Sequence, residues 1–231
     1  LSICFTFAAL AEEKSHHWNY DEINNWGNKP GFATCKIGNE QSPVNIITTS
    51  VKKTELAPIN TQYASADAEM INNGHTVQLN LADGGFAKFK DKQYKLVQFH
   101  FHTPSEEKIN GKNYPLGAHL VHKDESGNLG VIAILIKEGM ENSVLKNVFA
   151  NLPAFGAKPV SGYNINVSDF LPASLTYYRF TGSITTPPCI EGVIWNVLKE
   201  PIELSKSQIE SFLVIFNINA RSTQPLNHRV I

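Results

Sequence analysis

The sequence has little charge of either sign and few cysteines. Charged residues make up 18% of its 231 positions, below the roughly 25% of an average soluble domain. Hydrophobic residues make up an ordinary 42%, so the chain is not intrinsically disordered. With 20 basic and 21 acidic residues, the formal net charge is -1. The composition therefore gives no electrostatic reason to expect nucleic acid or an acidic membrane surface as a partner.

No apolar run reaches the roughly 20 residues that a transmembrane helix needs. The longest, residues 1–11, ends in Ala-Leu-Ala and is followed by Glu12 and Glu13. This pattern is typical of the tail of a secretory signal peptide; a buried N-terminal strand is the alternative. We therefore expect residues 1–11 to be a signal remnant and residues 12–231 to form the mature domain. That domain is predicted to be periplasmic or secreted, without membrane insertion.

The cysteine count of three is odd. Removal of a signal peptide would take Cys4 and leave Cys35 and Cys189. In an oxidising compartment this pair would form a disulfide. A loop of that length is worth about 4–5 kcal/mol on the chain-entropy model. If there is no signal, two free buried thiols are the alternative.

Short strands separated by turn signals dominate the middle of the chain, and no repeat or low-complexity linker interrupts them. A helix with one apolar face is predicted over 143–152, and a second follows Ser205, where Ser205 and Gln208 have capping-box spacing. The domain is therefore expected to be rich in β-structure with peripheral short helices. The strands are predicted at 76–81, 94–103, 118–122, 130–137 and 193–198.

One predicted strand carries histidines where an apolar face is expected. Side chains alternate along a strand, so Val97, Phe99 and Phe101 should enter a core. Gln98, His100 and His102 should then share the opposite face. The next strand can return antiparallel and place His119 opposite this pair.

Three neutral imidazoles with one open coordination position are typical of a catalytic zinc site. The signal from spacing alone is weak. Among eight histidines in 231 residues, a His-x-His pair is expected by chance about 0.3 times. A single strand histidine is more often a hydrogen-bonded core residue than a ligand. A structural zinc site is disfavoured, since the sequence has no Cys-x-x-Cys.

Seven motifs together resemble the α-class carbonic anhydrases, and most closely their secreted bacterial branch. The resemblance runs from about residue 17 to 229 in the family's order, and it includes the two cysteine positions 35 and 189. It implies a single mainly β (α+β) domain around a large, mostly antiparallel twisted central sheet. The motifs are Gln-Ser-Pro-Val-Asn-Ile (41–46), Asn-Gly-His (73–75), Gln-Phe-His-Phe-His (98–102), Ser-Glu (105–106), Ala-His-Leu-Val-His (118–122), Gly-Ser-Ile-Thr-Thr-Pro-Pro-Cys (182–189) and Leu-Lys-Glu-Pro-Ile (198–202).

By this resemblance the chain is expected to be a zinc lyase that hydrates carbon dioxide reversibly to bicarbonate and a proton. His100, His102 and His119 would hold one Zn²⁺ per chain, whose bound hydroxide attacks the substrate. Activated esters are an expected side substrate. The expected partners are small molecules, carbon dioxide and bicarbonate.

The resemblance also assigns roles around the metal. Thr185 would orient the hydroxide and donate a hydrogen bond to Glu106, for which a solvated loop carboxylate is the alternative. Thr186 would lie on the substrate side, and His75 would shuttle the proton, with a surface turn histidine as the alternative. The apolar substrate pocket is expected to consist of Val121, Val131, Ile184, Val193 and Trp195.

The sequence departs from the family at the residue expected to hydrogen-bond one of the predicted metal ligands. Gln98 fits as the partner of His100, and Tyr20 is expected to hold a polar network near Thr185. The family normally places a Glu two residues before the third histidine, where this sequence has Gly117. We expect weaker zinc retention or slower hydration as a result, improved by Gly117→Glu, unless a water, a carbonyl or another side chain substitutes. Glu107, where many relatives have His, has no assigned role.

Two alternatives stay open at this point. A carbonic-anhydrase-like binding domain would keep the fold and lose catalysis, but such proteins typically lose a zinc-binding histidine. Another three-histidine metallohydrolase would need a further carboxylate in the cavity. Bacterial relatives often form dimers, yet the sequence carries no interface signature, so a homodimer is an open expectation.

Overall fold

The computed structural model describes residues 17–231. The predicted signal remnant, its boundary at residue 12 and Cys4 all lie outside this part of the chain. Within it, eleven strands form one sheet, and two short strands pair separately. The strands are β1 Asn45–Ile46, β2 Asn60–Tyr63, β3 Ala66–Asn72, β4 Val77–Leu81, β5 Gly85–Phe89, β6 Lys92–His102, β7 Lys108–Ile109, β8 Leu116–Lys123, β9 Leu129–Glu138, β10 Val160–Ile165, β11 Tyr177–Ser183, β12 Glu191–Leu198 and β13 Ile202–Leu204.

The main sheet runs in the order β10-β3-β4-β6-β8-β9-β12-β11. Strand β5 pairs with both β2 and β6, and β13 pairs with β9. All these pairings are antiparallel except two, in which β9 pairs parallel with β12 and with β13. The predicted fold, a mainly β domain around a large and mostly antiparallel sheet, is confirmed. Each of the five predicted strands overlaps an observed one.

Short helices lie outside the sheet, as expected. They are α1 Thr34–Ile37, α2 Lys146–Ala150 and α3 Lys206–Leu213, with two 3₁₀ helices at Tyr20–Asn28 and Val167–Phe170. The predicted capping box is present at α3: the Ser205 side chain accepts from the Gln208 backbone, and the Gln208 side chain accepts from the Ser205 backbone. Among residues 17–231, no helix has the length and apolar character needed to cross a membrane.

Strand β9 separates two apolar clusters. Its residues Ile132, Ile134 and Ile136 belong to the larger cluster, while Val131 and Leu135 belong to a smaller one. Since alternate residues of a strand face opposite sides of the sheet, the clusters cover the two faces of β9. This explains why the strand reads as a continuous apolar run rather than an alternating one.

One detail of the histidine strand was predicted wrongly. Phe99 and Phe101 are fully buried, as expected, but Val97 is 41% exposed. The register with β8 shifts between Leu96 and Gln98, so Val97 is an extra residue at a β-bulge. The bulge reverses the alternation of the strand, and Leu96 enters the core in place of Val97. Beyond it, Gln98, His100 and His102 keep the predicted common face.

The predicted disulfide between Cys35 and Cys189 is present. It joins α1 to the loop between β11 and β12, across 154 residues of sequence. Cys189 is fully buried, and its backbone N–H donates to the carbonyl of Thr186. The covalent link therefore fixes the loop that carries both predicted threonines.

Candidate active site

Three histidines from β6 and β8 converge at the centre of the sheet. His100 and His119 are directly paired across the two strands, and His102 lies two residues further along β6. Each ring offers one nitrogen, and these three nitrogens all lie within 4.8 Å of one another. The prediction that His119 lies opposite the His100–His102 pair is therefore correct.

The other nitrogen of each ring contacts an acceptor. His100 Nδ1 lies 2.9 Å from Gln98 Oε1, as predicted from their common strand face. His102 Nδ1 lies 2.7 Å from the carbonyl oxygen of Asn219. His119 Nε2 lies 3.1 Å from Glu107 Oε2. These contacts set the ring orientations and leave His100 Nε2, His102 Nε2 and His119 Nδ1 facing the common centre.

Burial keeps the three rings neutral. It lowers the pKa of His100, His102 and His119 from the ordinary value, because a charged imidazolium is poorly solvated there. A neutral ring nitrogen is the form that binds a metal. His102 Nε2 is also buried and has no hydrogen-bond partner among residues 17–231. The donor set thus fits a zinc ion.

Two adjacent carboxylates lie behind this centre, and each is 1% exposed. Burial raises the pKa of Glu106 to about 8 and that of Glu107 to about 7. Glu106 Oε2 lies 3.6 Å from His102 Nε2 and 3.9 Å from His119 Nδ1, and no described residue hydrogen-bonds it. A cation among the rings would favour the ionised form of both carboxylates, which agrees with the metal assignment.

Glu106 is fixed on its other side by two donors. The backbone N–H of Arg221 donates to Glu106 Oε1 at 2.7 Å. The Thr185 side chain also hydrogen-bonds the carboxylate, and both contacts lower its pKa. The structure thus places Glu106 and Thr185 together, as the sequence motifs predicted. The alternative of a solvated loop carboxylate does not agree with its burial.

Of the five residues predicted for the apolar pocket, three belong to the smaller apolar cluster, namely Val131, Val193 and Trp195, and the partly buried Val121 and Ile184 pack against it. Its Trp195 ring packs edge-on against His119, with ring centroids 4.9 Å apart. Trp195 Nε1 donates to the carbonyl of Ser183, which fixes the indole beside the loop of Thr185 and Thr186. An apolar wall therefore adjoins the histidine cluster.

His75 lies half-buried in the turn between β3 and β4. Gly74 has φ of +85°, a backbone conformation that suits glycine, and the Asn73 side chain accepts from the backbone N–H of His75. Trp18 stacks on the His75 ring with centroids 3.7 Å apart, and the Tyr20 ring lies 6.5 Å away. Burial and the nearby His17 lower the His75 pKa. Burial and the charge of Glu106 raise the Tyr20 pKa.

Sequence reasoning missed three residues that shape this site: Glu107, Asn219 and Arg221. Asn219 is fully buried; besides its contact with His102, its side chain donates to the carbonyls of His75 and Phe101. Arg221 fixes Glu106. Both lie in a C-terminal segment without regular structure or a recognised motif, and no local pattern could have identified them. Glu107 was noticed as unusual, but its contact with His119 depends on the folded turn.

Comparisons with known proteins agree with this geometry. The profile of the family described as "Eukaryotic-type carbonic anhydrase" matches residues 21–231. The chain is 40% identical to a carbonic anhydrase of Pectobacterium atrosepticum, over 100% of this chain and 95% of that protein. It is also 40% identical to one from Neisseria gonorrhoeae, over 100% of this chain and 93% of the relative.

The fold matches a solved α-carbonic anhydrase from Thermovibrio ammonificans, in complex with the inhibitor sulfanilamide. The TM-score is 0.90 with 41% identity, covering 93% of this chain and 97% of the other. The sheet and the buried histidine cluster define a metalloenzyme-type site of the carbonic anhydrase class. The chain belongs to the α-class, or eukaryotic-type, carbonic anhydrase family.

Proposed function

We propose that this chain catalyses the reversible hydration of carbon dioxide to bicarbonate and a proton, with one zinc ion held by His100, His102 and His119. The observation that carries the proposal is the convergence of three neutral ring nitrogens within 4.8 Å while each ring's other nitrogen contacts an acceptor. Zinc, when bound, makes a water molecule acidic enough to lose a proton near neutral pH, a well-known property of this enzyme class. A binding domain without catalysis has no need for this arrangement.

With a metal bound, Thr185 and Glu106 would orient the hydroxide that attacks the substrate. Glu106 is held by the backbone N–H of Arg221 and accepts a hydrogen bond from the Thr185 hydroxyl. Because that hydroxyl has spent its only proton, its oxygen can act only as an acceptor towards the nucleophile. This directs the nucleophile's own proton to Thr185 and leaves a lone pair for the substrate carbon. The same arrangement would also attack an activated ester.

The apolar wall receives carbon dioxide, which has no charge and little hydrogen-bonding ability. Val121, Val131, Ile184, Val193 and Trp195 supply this surface from one cluster. Thr186 follows Thr185 in the same loop and contributes the adjacent polar edge. An uncharged substrate gains from water-free apolar contact, while charged bicarbonate is bound less well there, so the product is released.

His75 carries the proton from the site to the solvent. It is half-buried, and imidazole exchanges protons readily near neutral pH. Its turn is tied to the metal site, since Asn219 donates to the His75 carbonyl and its own carbonyl accepts from His102. We assign Tyr20, whose ring lies 6.5 Å from that of His75, to the polar network of proton exit.

We assign the protein to an oxidising compartment, the periplasm or the extracellular space. The Cys35–Cys189 disulfide supports this, because such bonds persist mainly outside the cytosol. A homodimer stays a prediction, to be checked by sedimentation of the purified chain.

The test combines zinc analysis with stopped-flow hydration of carbon dioxide on the purified protein. We expect about one zinc per chain and hydration far above the buffer rate. The matched control is His102→Gln, which removes a ligand from the same buried position and should lose both zinc and hydration. If the unaltered chain bound no zinc, or hydrated carbon dioxide no faster than buffer, the proposal would be refuted.

A further inference from the structure

The three predicted metal ligands differ in how their outer ring nitrogens are held. His100 uses Gln98 from its own strand, and His102 uses a backbone carbonyl. His119 contacts a carboxylate, Glu107 Oε2, at 3.1 Å. That carboxylate comes from the turn after β6 and not from β8, the strand on which His119 lies.

The usual carboxylate position on β8 has no room to spare. Gly117 stands where the family resemblance leads us to expect a Glu, and a Cβ added there would lie 3.2 Å from both Cα and Cβ of Ser105. Such contacts are tighter than nine in ten real Cβ contacts, so Ser105 would have to move by a few tenths of an ångström. The turn of residues 105–107 therefore packs directly against the glycine.

Hydrogen bonds fix this turn. Ser105 Oγ donates to the Glu107 carbonyl at 2.9 Å and accepts from the backbone N–H of Tyr114, also at 2.9 Å. The Asn113 side chain donates to the Ser105 carbonyl. The turn is thereby held to the residues that lead into β8, and the Glu107 side chain is directed towards the His119 ring.

Burial of Glu107 is difficult to explain as packing alone. An ionised carboxylate away from water is strongly destabilising unless it is paired. The described residues place no lysine or arginine in an ion pair with Glu107, and none of them hydrogen-bonds its Oε1. Within this part of the chain, the one ionisable group that hydrogen-bonds the Glu107 carboxylate is His119. This pairing has a clear use if the His119 ring must be held for a cation.

We propose that Glu107 is the positioning residue for His119, in the role that the family resemblance leads us to expect of a carboxylate at position 117. The inference rests on the proposed function, since it concerns a zinc ligand. The role is to accept the Nε2–H of His119, which fixes the ring and leaves Nδ1 for the metal. Gly117 then does more than remove a carboxylate: its lack of a side chain leaves room for the turn that carries Glu107.

This assignment changes the expectation drawn from Gly117 alone. Adding Glu at position 117 would displace Ser105 and bring a second carboxylate to a ring nitrogen that already has one. Gly117→Glu should therefore fail to slow zinc release in the otherwise unaltered protein. It should help only where the carboxylate of Glu107 has been removed.

The test measures the rate of zinc release to an excess of chelator, with the melting temperature of the zinc-free protein recorded in parallel. The variants are Glu107→Ala, the nearly isosteric Glu107→Gln, Gly117→Glu, and Glu107→Ala combined with Gly117→Glu. Glu125→Gln, at an exposed turn carboxylate, is the matched control. It should release zinc at the unaltered rate.

We expect Glu107→Ala to release zinc about 10–100-fold faster, the usual effect of losing a partner behind a metal ligand. Glu107→Gln should fall between it and the unaltered chain, and Gly117→Glu should restore slow release in the Glu107→Ala background. If Glu107→Ala does not fold, the near-isosteric Gln variant decides the question. Unaltered release from Glu107→Gln, or slower release from Gly117→Glu alone, would overturn the inference. Failure of the unaltered chain to bind zinc would instead refute the proposed function together with this inference.

Discussion

Removal of the Cys35–Cys189 disulfide should weaken the fold strongly while changing the native site little. The bond closes a loop across 154 residues. Its main effect is to restrict the unfolded chain, and the loop-closure entropy for this separation corresponds to about 5 kcal/mol at 25 °C. Since whole domains are stable by only about 5–15 kcal/mol, this is a large fraction of the total.

The native loop keeps other supports when the bond is absent. Cys189 still donates to the Thr186 carbonyl, its own carbonyl accepts from Gln41, and Arg221 still donates to the Cys35 carbonyl. The loop that carries Thr185 should therefore stay in place. We expect hydration activity at 25 °C to be largely retained in a folded Cys35→Ala, Cys189→Ala variant.

The assay is urea unfolding of this double variant and of the unaltered chain, with and without reductant. Alanine is chosen because a serine at the buried Cys189 position would lack a partner for its hydroxyl. Without reductant the two should differ by about 5 kcal/mol, and the variant should show the steeper denaturant dependence, as its unfolded chain is more extended. In reductant the difference should shrink to the small effect of two lost sulfur atoms. A difference below about 1 kcal/mol without reductant would refute the entropic reasoning.

Three further predictions concern histidines other than the three proposed zinc ligands. His75→Ala should lower turnover roughly 10–100-fold in weak buffer, approaching the typical contribution of a proton-transfer group, and added imidazole should restore part of it; unchanged turnover would remove His75 from proton transfer. Trp18→Ala should raise the His75 pKa towards its ordinary value, because the stacked indole contributes to the burial of the His75 ring. An NMR titration in which the His75 pKa is the same in the variant and in the unaltered chain would contradict this. Burial lowers the His122 pKa to about 4, so the unfolded state binds the extra proton first, and stability is lost as pH falls from about 6.5 towards 4. That loss amounts to about 3 kcal/mol, and His122→Gln should show a correspondingly smaller loss in unfolding measurements across this range.

Much of the sheet could be predicted because its strands follow local rules. The alternation in β6, the apolar run of β9 and the capping box of α3 each depend on neighbouring residues. The bulge at Val97 was missed because an extra strand residue shows only in the register with β8. The alternation of apolar and polar residues cannot by itself show where a bulge turns the following side chains to the other face.

At the site, too, sequence-based prediction failed where a contact depends on residues that are distant in the sequence. Gln98 could be assigned because it lies on the same strand face as His100, two residues away. Tyr63 could not be assigned to His122, although its hydroxyl lies 2.7 Å from His122 Nε2, because 59 residues separate them. The family resemblance supplied the roles of Glu106 and Thr185, which spacing alone could not.

The contacts that hold the three proposed metal ligands illustrate how far this site depends on the whole fold. The support for His100 comes from its own strand, that for His119 from a turn 12 residues earlier, and that for His102 from Asn219, 117 residues later. Only the first exists in an isolated β6. The other two form when β8 pairs with β6 and when the C-terminal segment packs beneath them. Zinc affinity should therefore be sensitive to changes in the turn at Glu107 and in the segment at Asn219, even though neither residue supplies a metal ligand.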